Sequence, residues 1–252
     1  MPPAPGAVLL LILATLLAAG CSGSPKKPID GVAVGPRAPA PPEPETTTTT
    51  TAPTTTIPTY PLSGRPATDA GRADRAAVAV KVDNIAEARP QAGIVTADVI
   101  YEEFTEGVTR FIVVYHSNDA GLVGPVRSVR PADPVIVTPL GGLLAFSGGS
   151  PGAEALARDA PLTLVTETDT AVMFRRPGRV APHNLYTTTA GLYSRVPADS
   201  GSPRPFAAFL AEDRTFAGAD ATPVSSLRVV PAPNVVADYD WDAASGHVAA
   251  RH

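Results

Sequence analysis

The chain has 252 residues with a formal net charge of −4 and a single cysteine. That charge argues against a general nucleic-acid binder, and one thiol excludes both a disulfide framework and a cysteine-based zinc site. An exported domain of this composition has to be held by its own apolar core.

Residues 1–21 open the chain with an apolar run, AVLLLILATLLAAG, that ends directly on Cys21. The core of the run, Val8 to Ala19, is 12 residues, short of the roughly 20 that span a bilayer as a helix. A short apolar run ending in small residues reads as a secretory signal. The junction LLAAGC further matches a bacterial lipoprotein signal, in which the Cys21 thiol is lipidated and becomes the mature N-terminus. The n-region MPPAPG has no Lys or Arg, and Ala18 stands where Leu is commoner. The expected location is the extracytoplasmic face of the cell membrane, with the membrane as partner through the lipid. Acyl chains on Cys21 bury CH₂ groups at about 0.8 kcal/mol each, enough to anchor without a spanning helix.

Residues 22–66 carry Pro runs and then TTTTTTAPTTTIPT. Large apolar side chains are nearly absent, so burial cannot offset the entropy of ordering, and a disordered linker is predicted. Its reach is between roughly 40 Å as a coil and roughly 130 Å extended.

Residues 67–225 are assigned to a globular domain. AVAVKVDN predicts a buried strand and a polar turn. DVIYEEFTEG and VTRFIVVYHS predict a hairpin turning at Glu106-Gly107, its second strand buried in the sheet. LVGPVRSVR reads as a further short strand, Asp133 to Leu140 as a short helix broken by prolines, and GLLAFSG as another buried strand. Ser150 is placed to cap a helix with Pro151 at its first position. Strands near 162–166 and 170–175, a helix from Thr189 and another over 205–212 complete the domain. Hairpins mixed with helices predict a mixed α/β (α+β) fold, with a central, mostly antiparallel sheet and flanking helices. Residues 226–252 predict two strands, a turn at Ala244-Ser245-Gly246 and the start of a third. The expectation is the truncated start of a second, C-terminal domain.

Several stretches in this order, VKVDN, ARPQAGIVTADVIYEEFTEGVTRFIVVYHS, VGPVRSVRPAD, LLAFSGGSPG and APHNLYTT, resemble the YerB-like bacterial lipoproteins. The resemblance covers about residues 76–195. It implies a cell-surface location and a two-part architecture, and no established activity. The strand, turn and Arg-bearing strand before the Gly-rich turn are also similar to the LytR–CpsA–Psr enzymes, which transfer lipid-linked glycopolymers.

Gly148-Gly149-Ser150-Pro151-Gly152 satisfies G-x-S-x-G literally, followed by Asp169 and His183. An oxyanion hole needs the N–H of the residue after the nucleophile, and Pro151 has none. No catalytic residue is therefore assigned. The same turn offers helix N-terminal N–H groups to an anion. Arg127 and Arg130, three residues apart, suit phosphate, and pairing with Asp98, Glu102 or Asp133 is their structural alternative. His183 and Asn184 lie in a polar loop of the kind that carries function. The expected ligand site is Arg127, Arg130, Ser150, Gly152, His183 and Asn184, taking a cell-wall or lipid-linked anion. No cofactor or metal site is assigned, although Asp83, Glu102 or Asp133 could supply oxygen ligands to a hard cation. Glu102 and Glu103 alternate along one strand and so face opposite sides. The expectation is a lipoprotein of unknown molecular activity that binds a cell-envelope ligand, phosphate- or pyrophosphate-containing, or a protein partner. The alternative is an envelope enzyme on a lipid-linked phosphorylated glycopolymer.

Overall fold

The computed structural model describes residues 58–209, 222–245 and 247–251. The expected lipidation site Cys21 and residues 22–57 of the expected linker lie outside the described residues.

One sheet organises the domain. It contains β1 (Val78–Asp83), β2 (Val99–Thr105), β3 (Val108–Tyr115), β4 (Leu143–Ala145) and β5 (Thr163–Val165), in the order β2-β3-β1-β4-β5. β3 pairs antiparallel with both β2 and β1, while β1, β4 and β5 run parallel. The α+β expectation holds, with the central sheet evenly mixed in direction. Its apolar strands follow from burial on both faces. Val78, Val80 and Val82 point into one core with Phe111, Val113 and Tyr115. Ala77 and Ala79 point into the other with Ile112, Val114 and Leu144.

Helices α2 (Ala132–Val137) and α3 (Pro151–Asp159) supply that second core through Val137, Ala153 and Ala157. Ser150 caps α3 as predicted, its Oγ accepting from the Ala153 N–H at 3.3 Å. The opposite core is closed by Met173, just before β6 (Phe174–Arg175), by Leu185 of its partner β7 (Leu185–Tyr186) and by Leu192 of helix α4 (Thr189–Tyr193).

Four features differ from the sequence reading. The strand expected over 170–175 shrinks to the two residues of β6, because 170–172 form a turn. The packed region reaches back into the predicted linker: Tyr60 and Leu62 are buried, and a short helix α1 (Ala70–Asp74) precedes β1. Residues 205–209 are not helical, and 210–212 lie outside the described residues. Residues 122–130 form no strand of their own. They are stitched in by single bridges, Val82 to Val126 and Val129 to Gly149, because Pro125 and Pro131 each remove a ladder donor.

Strands β8 (Ser226–Ala232), β9 (Val235–Asp242) and β10 (His247–Arg251) form a separate antiparallel sheet. This matches the predicted strand–strand–turn–strand pattern. Tyr239 donates its hydroxyl to Glu102 of β2.

Candidate functional site

The site lies at the carboxyl ends of β1 and β4, where the two parallel strands part. Open sheets bind ligands in such crevices. Residues 125–129 fill the gap: Asp83 N donates to Pro125 O (3.0 Å), Arg127 N to Lys81 O (2.9 Å) and Ser147 N to Arg127 O (2.9 Å). That threading delivers Arg127 to the end of β1.

Alternation does the rest. Lys81 and Asp83 sit on the same face of β1 as Ala77 and Ala79, at the end where apolar packing stops. Asp83 lies opposite Arg110 on β3, and Arg110 lies opposite Glu103 on β2. A row of charged side chains therefore crosses three strands. Lys81 is fully buried and ion-paired to Glu103 and, at 2.8 Å, to Asp133 of α2. Burial of Asp133 outweighs the attraction of Lys81, and the nearby Glu103 adds repulsion, so its carboxyl is pushed up to about 6.

Asp83 is the hub. Its Oδ2 accepts from His183 Nδ1 at 2.8 Å and meets Arg127 Nε at 2.9 Å. The Arg127 approach is an ion pair without hydrogen-bond alignment, so that buried Nε–H has no hydrogen-bond acceptor among the described residues. The His183 loop is held from the other side by Arg179. Its guanidinium donates to the carbonyls of Ala88 (2.8 Å), Arg89 (3.2 Å) and Pro90 (2.7 Å) and to the Tyr186 hydroxyl (3.1 Å). His183 is thus pre-positioned by buried and backbone partners.

Beyond Asp83 the guanidinium groups accumulate. Arg130 pairs with Glu106 at 2.5 Å, and Arg110 approaches the same Glu106 oxygen at 3.6 Å. The Arg110 side chain is only 7% exposed, yet its Nε and Nη1 find no acceptor among the described residues, nor does Arg130 Nε. Burial, then the charges of Arg130 and Arg127, push the Arg110 guanidinium below its ordinary value. Three arginines repel one another here, and buried donors without acceptors are costly. The arrangement has spare capacity for an anion.

The structure joins Arg127 to His183 through Asp83 and sets Arg130 beside them through Glu106 and Arg110. The other three expected residues are placed differently. Ser150 Oγ is spent on the helix cap. Gly152 is in open space, with no atom near the position of a would-be Cβ. Asn184 Oδ1 accepts from Arg175 Nη1 at 2.7 Å, on the β6–β7 pair. The ion pairs of the two arginines go instead to Asp83 and Glu106. Asp83, Asp133 and Glu102 each serve different partners, and no group of three metal-type ligands occurs among the described residues.

Asp83, Arg110 and Glu106 were missing from the sequence-derived site. A signal existed for two of them. Lys81 and Asp83 alternate within an otherwise apolar strand, and Arg110 opens an apolar strand that is buried on both faces. Charges in such places need partners. One residue further along, Asn84 leads into a cavity of about 480 Å³ lined by Asn84, Arg89, Gln91, Ile94 and Phe111, with Arg251 at its rim.

Residues 62–202 match the family described as "Protein of unknown function (DUF3048) N-terminal domain". The chain belongs to that family. A relative, "Putative lipoprotein YerB" of Bacillus subtilis (strain 168), is 33% identical over 118 residues, 46% of this chain and 36% of the relative. The crystal structure of the YerB protein from Bacillus subtilis superimposes with a TM-score of 0.63 at 24% identity, covering 77% of this chain and 66% of that one. The chain thus spans about a third of the relative by sequence and just under two thirds of the solved chain by structure. The structural likeness establishes the shared fold. Neither family nor relative carries an assigned activity.

Proposed function

We propose that this DUF3048-family domain is the extracytoplasmic part of a lipid-anchored cell-envelope protein, and that it binds a phosphate-bearing ligand at the Arg110–Arg127–Arg130 cluster. One observation carries the ligand class: buried guanidinium N–H groups of Arg110 and Arg130 lack hydrogen-bond acceptors among the described residues, and Arg127 stands near them, ion-paired through Nε to Asp83. Guanidinium forks match phosphate oxygens and prefer them when desolvated. The anchor reading is supported by the LLAAGC junction at Cys21 and by the lipoprotein name of the Bacillus relative.

The test is calorimetric titration of inorganic phosphate and pyrophosphate into the full chain and into Arg110→Gln and Arg127→Gln variants shown to be folded by circular dichroism. Each substitution is expected to weaken binding by about 1.5–3 kcal/mol per charge-assisted bond lost. Absence of binding to the wild type at millimolar phosphate, or unchanged affinity in both folded variants, would count against the reading.

A second reading has its own observation. A buried carboxylate on Nδ1 is the arrangement that orients a histidine for acid–base work, and Asp83 holds His183 in this way. An envelope enzyme acting on a lipid-linked phosphorylated glycopolymer would use it. Turnover of such a substrate that is lost in His183→Ala, while phosphate binding persists, would favour this reading.

A further inference from the structure

The tip of the β2–β3 hairpin is built from Glu106 and Gly107, with φ of 53° and 84°. Two consecutive residues at positive φ suit a turn that favours Asn-Gly, Asp-Gly or Gly-Gly. Glu gains nothing there locally, and Glu106 is the one non-glycine residue with positive φ among the described residues. Turn chemistry therefore does not account for its side chain. Its placement does have a consequence. The Glu106 side chain is 62% exposed, yet it folds back onto Arg130, which is 15% exposed, and Arg110, which is 7% exposed. The carboxylate covers the accessible end of two guanidinium groups whose inner N–H groups remain unpartnered.

We propose that Glu106 is a built-in competing carboxylate that makes the Arg110–Arg130 pair selective for phosphoryl dianions over carboxylates and monoanions. The inference rests on the anion-site reading above and adds the ligand's charge class. An anion entering from solution must displace Glu106. A free carboxylate would exchange one carboxylate for another and lose, because the tethered group has an effective concentration in the millimolar range or higher. A phosphoryl dianion brings a second negative charge and a third oxygen. It can reach Arg127 or the inner N–H groups of Arg110 and Arg130 that the Glu106 carboxylate leaves unpaired. Glu106, mostly exposed and on a hairpin tip, can swing into water at little cost. The hairpin backbone need not move.

The experiment compares inorganic phosphate with acetate, titrated into the full-length wild type, Glu106→Gln and Glu106→Asn. The Asn variant suits the turn, so loss of the hairpin cannot mask the result. The expected outcome is about tenfold tighter phosphate binding in both variants, the gain from removing a tethered competitor of millimolar effective concentration. Acetate binding should appear in the variants and be absent from the wild type, so the phosphate-to-acetate preference narrows. Phosphate should also raise the melting temperature of each variant more than that of the wild type, by linkage. If the wild type binds phosphate and both folded variants bind it no tighter, or more weakly, Glu106 merely positions the arginines and this inference is overturned while the site reading stands. If no form binds phosphate, both fall together.

Discussion

Asp133 shows how one buried residue couples this fold to pH. Its carboxyl, ordinarily near 3.8, is pushed up to about 6 by burial. Between about pH 4 and pH 6 an unfolded chain releases that proton while the folded chain keeps it. The unfolded state then binds fewer protons, so the stability contributed by this group falls as pH rises through that window. Asp133→Asn cannot ionise and should flatten the slope there, although it also weakens the Lys81 network at every pH. Urea midpoints across that range, compared between the two proteins, give the measurement. A variant that keeps the wild-type slope would show that Asp133 is not the titrating group. The site residues divide in the same terms. Arg127, Arg130 and His183 were legible as charged or polar residues in loops. Arg110 and Asp83 were hidden inside apolar strands, because no sequence pattern states which buried charge faces which.

The elements follow local rules closely where side-chain chemistry decides. Ser150-Pro151 starts α3 as those residue types require, and Gly107 supplies one of the two positive φ values of the β2–β3 turn, whereas Glu106 takes the other against its own preference. The link from α2 to β4 depends instead on backbone room. Gly141 and Gly142 both have positive φ, 74° and 80°. A Cβ on Gly141 would meet nothing, whereas one on Gly142 would lie 2.1 Å from the Ala77 carbonyl oxygen, at the entrance to β1. Gly141→Ala should cost about 1–2 kcal/mol, the price of the left-handed conformation alone. Gly142→Ala should cost about 4 kcal/mol or more, because the β1–β4 pairing must shift. Thermal or denaturant unfolding of the pair tests this, and equal costs would mean that β4 slides freely against β1. Residues 122–130 show the opposite case. The stretch LVGPVRSVR reads as a short strand, but the prolines leave only bridges, and tertiary threading sets its path.

For the whole molecule, the composition divides the chain sharply: an apolar leader, a Pro/Thr tract and a domain rich in β-branched residues. No helix among the described residues is long and apolar enough to cross a membrane. The proposed anchor at Cys21 therefore makes a direct prediction. Cys21→Ser should move the protein from the membrane to the soluble fraction of cells, and labelled fatty acid should enter only the wild type. Membrane association that survives the substitution would remove the lipid from the account.

The sequence by itself determined the family, the α+β class, the hairpin, the helix cap and the lack of a second cysteine for any disulfide, and it set the expectation of a leader ending on Cys21. Each of these depends on neighbours along the chain: a run length, an alternation or a residue type at a cap. Only the tertiary structure decided that β1 is flanked by β3 and β4, that Asp83 gathers Arg127 and His183, and that Glu106 closes over Arg110 and Arg130. Those contacts join residues up to a hundred positions apart, such as Asp83 and His183. Their partners are set by strand order and register, which local patterning leaves open because several pairings bury the same apolar faces equally well.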